Sequence, residues 1–160
     1  MKTLSVDKQE IEQLLFREAS LIDEGQFNEW LELYDDELTY WVPCNDRDID
    51  PELHVNIIYE NRARLTERIK RLQSGLAHAQ IPPSKTCHLV SNIEVAGSDG
   101  DVVTVTAKFV IAELRRSTQT IYAGRYVYHL VRKNDQWKIR MKKVELINNN
   151  EFLGNVSFIL

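Results

Sequence analysis

The stretch from Val102 to Arg132 decides the fold, and its sequence is VVTVTAKFVIAELRRSTQTIYAGRYVYHLVR. β-Branched and aromatic residues are frequent in it, apolar and polar residues alternate along much of its length, and it contains no proline. These features are typical of β-strands whose two faces differ in polarity. The pattern predicts two long strands, at about 102–116 and 119–132.

Two further long strands are predicted on either side of this stretch, at about 85–95 and 136–148. The connections Ser98–Asp101 and Lys133–Asp135 consist of residues that favour tight turns, so consecutive strands are expected to pair antiparallel. All four strands exceed the common length of about five or six residues. We therefore expect a long and strongly twisted sheet.

The residues before this sheet predict helices and one short strand. The first helix begins after Asp7, which starts a capping box, and ends at Gly25. A short helix is expected at about 27–34 and a strand at about 38–42. A long helix follows at about 61–79, and two prolines after it end it.

This order, helices first and strands last, is typical of an α+β domain with its helices on one face of a curled, mostly antiparallel sheet. No repeat, linker or change of composition divides the sequence. Residues 1–160 are therefore expected to form a single domain.

Both faces of the predicted sheet carry apolar residues. In the strand at 119–132 one face holds Ile121, Ala123, Val127 and Val131, and the other holds Tyr122, Tyr126, Tyr128 and Leu130. The helices are sufficient to cover one face, so a protein partner is expected on the other. We expect the tyrosine face to form that interface, so that a charge at Tyr126 or Tyr128 weakens assembly more than it destabilises the isolated chain.

Within two strands the apolar residues also move from one face of the strand to the other, after Ile111 and after Met141. Two explanations stay open. Either each strand carries a bulge, or each of its faces is buried over part of its length.

Composition and charge exclude several classes of protein. The chain has 160 residues, a net charge of −4 and 43% hydrophobic residues, which is typical of a globular domain and not of a nucleic-acid-binding protein. The N-terminal residues are too charged for a signal peptide, and no apolar stretch reaches the roughly 18 residues that cross a membrane. Cys44 and Cys87 are expected to be buried free thiols, and the protein is expected in the cytoplasm.

Motifs for phosphate loops, nucleophile elbows and zinc-binding helices are absent. The histidines are His54, His78, His88 and His129. None of them has i, i+4 spacing to another, so an iron site of two histidines and one carboxylate is not favoured. One enzymatic alternative stays open: Asp36, Tyr40 and His88 could meet inside a cone and transfer protons.

Several motifs, in their order along the chain, resemble the small (beta) subunit of bacterial aromatic-ring-hydroxylating dioxygenases. The most specific are GLAHAQ at 75–80 and PPSKTCHLVSNI at 82–93. The others are EASLID at 18–23, FNEWLEL at 27–33, YWVP at 40–43, IYENR at 58–62, YAGR at 122–125, WKI at 137–139 and LGNVSFIL at 153–160. The similarity covers nearly the whole chain.

This resemblance implies a cone-shaped fold of the NTF2-like or cystatin-like type. It also implies a hexamer of three large (alpha) and three small subunits, in which the small subunits associate as a trimer. The large subunit would carry a Rieske [2Fe-2S] cluster and a mononuclear Fe(II), and NAD(P)H would supply electrons through a reductase, often with a ferredoxin. Such an assembly adds both atoms of dioxygen to an arene and forms a cis-dihydrodiol.

The cysteines of this chain agree with that division of roles. A Rieske centre needs paired Cys-x-His and Cys-x-x-His motifs, whereas the sequences here are CND at 44–46 and CHL at 87–89. We therefore expect no catalytic, cofactor-binding or metal-binding residue on this chain, and a role as the scaffold of the hexamer. The alternative is a stand-alone isomerase or dehydratase that uses Asp36, Tyr40 and His88.

Overall fold

The structure, a computed structural model, describes residues 5–44, 50–52, 56–75, 80–150 and 156–160. Within them, the helices are α1 (Lys8–Asp23), α2 (Phe27–Glu32) and α3 (Arg62–Ser74). The strands are β1 (Tyr34–Pro43), β2 (Asn56–Asn61), β3 (Lys85–Asp99), β4 (Val102–Arg115), β5 (Thr118–Lys133) and β6 (Gln136–Leu146).

The strands form one six-stranded sheet in the order β2-β1-β6-β5-β4-β3. β1 and β6 run parallel, and all other neighbours are antiparallel. On one face of the sheet, α1 packs against β3, and α3 packs against β1 and β2. The predicted α+β fold is confirmed. We refer to the space between the helices and this inner sheet face as the cone interior.

The four long strands occur where the alternation predicts them, with ends shifted by a few residues. β2 is not predicted by the pattern; it forms because its backbone pairs with β1, where Ile58 is buried opposite Val42. The short helix ends at Glu32, and the chain continues at once into β1. α3 ends at Ser74 because Gly75 adopts a left-handed conformation with φ of 72°. Residues 76–79 of the predicted long helix lie outside the described residues.

The two parity changes have different causes. In β6, Ile139 pairs with Leu130 but Met141 pairs with His129, so Arg140 is an extra residue and the strand is bulged. In β4 the register with β5 is unbroken, and the parity change places Leu114 on the exposed outer face. The bulge is thus confirmed for β6, and β4 has apolar residues on both faces.

The tyrosine face of β5 points into the cone interior. Tyr126 and Tyr128 are only 1% and 0% exposed, and Tyr126 stacks on Phe109 with a centroid distance of 4.1 Å. The expectation that these tyrosines form an interface is therefore wrong. The opposite face of β5 is open only at its N-terminal end, where Ile121 is 57% exposed, whereas Val131 near the other end is buried.

The cysteines are also more open than expected. Cys44 is partly exposed and Cys87 is exposed. Cys87 pairs with Ala112 on the outer face of the sheet, whereas the next residue, His88, points inward. Among the described residues, no helix is both long and apolar enough to cross a membrane.

Candidate functional site

A buried carboxylate, Glu18, is the centre of the polar network in the cone interior. It lies on the inward face of α1 and accepts hydrogen bonds from Trp30 Nε1 (3.1 Å), from the hydroxyl of Tyr34 and from Tyr128 Oη (2.8 Å). The ammonium of Lys142, itself fully buried, lies 3.0 Å from Oε1 of Glu18. Burial alone raises the pKa of Glu18, but Lys142 and the two tyrosines outweigh it and hold that pKa below its ordinary value. Glu18 is therefore an ionised, fully compensated carboxylate.

Residues 156–160, which we call the strap, enter the same interior. Leu160 is fully buried, and Phe158 and Ile159 are nearly so. Tyr40 Oη donates to the main-chain oxygen of Leu160 (3.2 Å) and accepts from its nitrogen (3.0 Å), and Lys142 Nζ donates to the same oxygen (2.9 Å). The deep part of the cone is thus filled by the chain itself.

A second buried pair joins the end of α1 to the start of β3. The Nδ1 atom of His88 lies 2.5 Å from Oδ1 of Asp23, and the His88 amide donates to the other carboxylate oxygen (2.9 Å). Thr86 Oγ1 also donates to Asp23 (2.9 Å). Burial raises the pKa of Asp23, but the hydrogen bonds from His88 outweigh it and lower that pKa. His88 Nε2 is buried and has no hydrogen-bond partner in the described part of the chain.

The predicted trio of Asp36, Tyr40 and His88 does not act as a unit. Asp36 is exposed on β1, whereas its neighbour Asp35 is buried and pairs with Arg140 (2.9 Å). Tyr40 and His88 do point inward, but Tyr40 is bonded to Leu160 and His88 to Asp23. The carboxylate partner of His88 is therefore Asp23, which the sequence pattern did not indicate.

A missed signal was available for Glu18. It lies three residues after Leu15 and four before Ile22, so that a charged residue stands within the apolar stripe of α1. Lys142 gave a similar signal, since it shares the inward parity of Val144 and Leu146. No comparable sequence signal marks Asp23.

The described residues contain no group of three or more His, Cys, Asp or Glu side chains placed to hold a metal ion. His54 and His78 lie outside the described residues. A pocket of about 240 Å³ lies at the mouth of the cone, and Asp23, Phe27, Gln80 and Phe158 are among the residues that line it.

The outer face of the sheet carries an apolar patch. We define the outer apolar face by Leu89, Val110, Leu114, Ile121 and Ile147, all of which are exposed. Leu89 pairs with Val110 across β3 and β4, and the amide of Ile147 bonds to the strand next to them. Leu89 and Ile147 are 62% and 75% exposed, respectively. Exposed apolar side chains grouped in this way are more common at contacts with other protein chains than elsewhere on a protein surface.

A filled α+β cone of this kind, with helices on the inner face of a curled sheet, defines an NTF2-like domain. A solved NTF2-like protein with a cystatin-like fold from Novosphingobium aromaticivorans is similar to it, with a TM-score of 0.60 over 95% of this chain and 86% of the other at 19% identity. At this identity the likeness concerns the fold alone.

The chain belongs to the ring hydroxylating beta subunit family, whose model matches residues 17–150. The small oxygenase component of the p-cumate 2,3-dioxygenase system of Pseudomonas putida is 34% identical over 97% of this chain and 88% of its own length. The crystal structure of the beta subunit of benzoate 1,2-dioxygenase from Burkholderia mallei is 31% identical, covers 99% of this chain and all of its own, and has a TM-score of 0.79. The family that the motifs predicted is confirmed, and the protein is a small subunit of a ring-hydroxylating dioxygenase.

Proposed function

We propose that this subunit is the scaffold of its dioxygenase and contributes no catalytic, cofactor-binding or metal-binding residue. It holds three large subunits in a hexamer with three copies of itself. The Rieske [2Fe-2S] cluster and the mononuclear Fe(II) belong to the large subunit, which receives electrons from NAD(P)H through a reductase, with or without a ferredoxin. The complex then converts an arene and dioxygen to a cis-dihydrodiol.

The observation that carries this proposal is the contrast between the two faces of the sheet. On the inner face, Glu18, Tyr40 and Lys142 bond to one another, to neighbouring tyrosines or to the strap, and the described pocket at the mouth of the cone is lined by Asp23 but by none of these three. On the outer face, large apolar side chains remain exposed. A reaction site needs a cavity beside its acid–base groups, whereas a scaffold needs an apolar surface to bury.

The outer apolar face also suits a closed ring. A head-to-tail contact between identical subunits uses two different surfaces on each copy and closes when the rotation per copy fits. In this arrangement the outer apolar face of one copy meets a different surface of the next copy or of a large subunit. The side chains at its centre, Val110 and Ile121, then become buried.

Assembly can be tested with one charge on the outer apolar face. We expect Ile121→Asp to abolish co-purification with the large subunit, as measured by size exclusion with light scattering, while the melting temperature of the isolated chain is almost unchanged. Phe16→Asp is the matched control, because Phe16 is also an exposed apolar side chain but lies on α1. Its complex should have the wild-type mass and the visible spectrum of a Rieske protein. A normal complex with Ile121→Asp would contradict the assignment of this surface.

The absence of catalytic residues can be tested in the assembled complex. We expect Asp36→Asn, Tyr40→Phe and His88→Gln to leave turnover per iron centre unchanged, although Tyr40→Phe lowers the melting temperature because Leu160 loses two hydrogen bonds. A loss of turnover of more than about tenfold without loss of the large subunit would instead support catalysis in the cone.

A further inference from the structure

Two cations lie side by side on the outer face of the sheet without a carboxylate partner. Lys108 of β4 and Arg125 of β5 are paired in register, and both are exposed. Neither side chain has an ion pair within the described part of the chain, and Glu145, the neighbour of Arg125 on β6, pairs instead with Lys143 (3.3 Å). Like charges directly opposite one another destabilise a strand pair. A carboxylate from another chain that approaches both cations would remove this cost.

The same two cations border a groove with apolar walls. This groove, of about 610 Å³, is lined among others by Lys108, Val110, Arg125 and Ile147, and we call it the outer groove. Val110 and Ile147 belong to the outer apolar face and are 40% and 75% exposed. A protein segment that neutralises the cations and covers these side chains needs carboxylates next to apolar residues.

The turn between β3 and β4 is such a segment. Residues 95–101, which we call the hairpin tip, have the sequence VAGSDGD and are all exposed. The tip carries two carboxylates, Asp99 and Asp101, and no basic residue. Neither carboxylate has an ion pair among the described residues. Val95, which is 40% exposed, adds apolar surface to the tip. The charge and polarity of the hairpin tip therefore complement those of the outer groove.

The carboxylates of the tip are too far from the groove of their own chain. Asp99 pairs with Val102 at the start of β4, and Val110 lies eight residues further along this strand, at a distance of about 26 Å. β4 is paired with β3 and β5 over this length, so the tip cannot fold back onto the groove. A contact between tip and groove therefore joins two copies of the chain through two different surfaces, as in a head-to-tail ring.

We propose that the hairpin tip of one copy docks into the outer groove of a second copy, so that Asp99 and Asp101 pair with Lys108 and Arg125 of the partner subunit. The apolar residues of the tip then cover part of the outer apolar face. This inference rests on the proposed scaffold role, and it adds which surfaces of two copies meet and which charges hold them together.

Charge reversal tests the contact in the isolated, full-length chain. The groove variant is Lys108→Glu/Arg125→Glu, and the tip variant is Asp99→Lys/Asp101→Lys. We expect each variant to self-associate at least about tenfold more weakly than the wild type in sedimentation equilibrium, because like charges then face one another. A chain with all four substitutions should regain the wild-type dissociation constant to within about threefold. All four side chains are exposed, so every variant should melt within about 2 °C of the wild type.

The matched control is Arg64→Glu/Lys70→Glu, which reverses two exposed cations on α3 and should change the dissociation constant by less than about twofold. The wild type provides a test without substitutions. Raising KCl from about 0.05 M to about 0.5 M should weaken its self-association about tenfold, because salt screens the charges that meet. If a reversal prevents folding, this salt dependence decides, and its absence would contradict the proposal.

Three further outcomes would overturn the proposal: a wild-type chain that stays monomeric at about 0.5 mM, a tip variant that associates like the wild type, or a chain with all four substitutions that associates as weakly as the single-surface variants. Co-purification with the large subunit is a separate measurement. A complex that is lost with Ile121→Asp but kept with the tip variant would leave the scaffold role intact and show that the outer groove binds a large subunit instead of a second copy.

Discussion

The buried pair of Glu18 and Lys142 makes a quantitative prediction. Lys142→Met keeps most of the volume of the side chain but removes the charge that faces Glu18 and a donor to the Leu160 oxygen. Breaking a buried ion pair by removing one partner costs about 3–5 kcal/mol, because the remaining charge is uncompensated. A domain of ordinary stability has about 5–15 kcal/mol in total, so the loss should be large.

Removing both charges should be less harmful than removing one. In Glu18→Gln/Lys142→Met the amide oxygen still accepts hydrogen bonds from Trp30, Tyr34 or Tyr128, and no unpaired charge is buried. We expect this double variant to lose about 1–2 kcal/mol, which is less than the single variant loses. The control is Lys8→Met, which removes the exposed i, i+4 pair with Glu12 and should cost at most about 0.5 kcal/mol.

The contribution of Glu18 to the pH dependence of stability should have opposite signs in the wild type and in Lys142→Met. In the wild type the pKa of Glu18 is lowered in the folded state, so its contribution is present above the unfolded value of 4.5 and is lost as the pH falls through the folded pKa. In Lys142→Met burial remains and the ammonium is gone, so the pKa of Glu18 should rise above 4.5. Its contribution should then be present at acid pH and be lost as the pH rises through the raised pKa. Lys142→Met should therefore gain stability relative to the wild type as the pH falls from neutral through the raised pKa of Glu18.

Urea unfolding measures these differences directly. Trp30, one of three tryptophans in the chain, donates to Glu18, so part of the tryptophan fluorescence reports on the network. The free energy of unfolding of the four proteins should be compared at several pH values, with the m-value as a check on two-state behaviour. A loss below about 1 kcal/mol for Lys142→Met, or a double variant less stable than the single one, would refute the reasoning.

Two further predictions concern positions in the sheet. A Cβ atom at Gly124 would overlap the carbonyl oxygen of Glu145 on the neighbouring strand, so Gly124→Ala should lower the free energy of unfolding by about 2–3 kcal/mol. Gly97→Ala is the control, because a Cβ atom there lies in open space and should change the free energy of unfolding by less than about 0.5 kcal/mol. Thermal melting of both variants checks this, and equal effects would contradict it. Tyr128→Phe should lower the free energy of unfolding by about 1.5–3 kcal/mol, because Glu18 loses a hydrogen-bond donor. Tyr126→Phe should leave it unchanged or raise it, because the Tyr126 hydroxyl has no partner among the described residues. Urea titrations should therefore distinguish these two chemically identical changes.

The sequence by itself predicted the sheet and the family. Alternation along much of 102–132 specifies long strands, because a two-residue period fits no other regular structure. Turn residues at Ser98–Asp101 and Lys133–Asp135 then specify which strands are neighbours. β2 was not predicted, because a strand of six residues with no strong alternation depends on its pairing with β1.

The tertiary structure decided which face of each strand is covered. Alternation defines two faces of β5 but does not distinguish them when both are apolar, and the choice of Tyr126 and Tyr128 as an interface failed for this reason. The packing of α1 against β3 determines which face of the sheet is covered. This packing joins residues more than sixty positions apart, such as Asp23 and His88.

The candidate site, too, was predictable from the sequence only in part. The sequence could be searched for a Rieske ligand set, since that motif is local in sequence, and neither CND at 44–46 nor CHL at 87–89 matches it. The partners of Glu18, His88 and Tyr40 are distant in sequence: the hydroxyl of Tyr40 bonds to a residue 120 positions away. Local patterns identify a charged residue on an inward face, but the group that compensates it is determined by how the strands, the helices and the strap close around one interior.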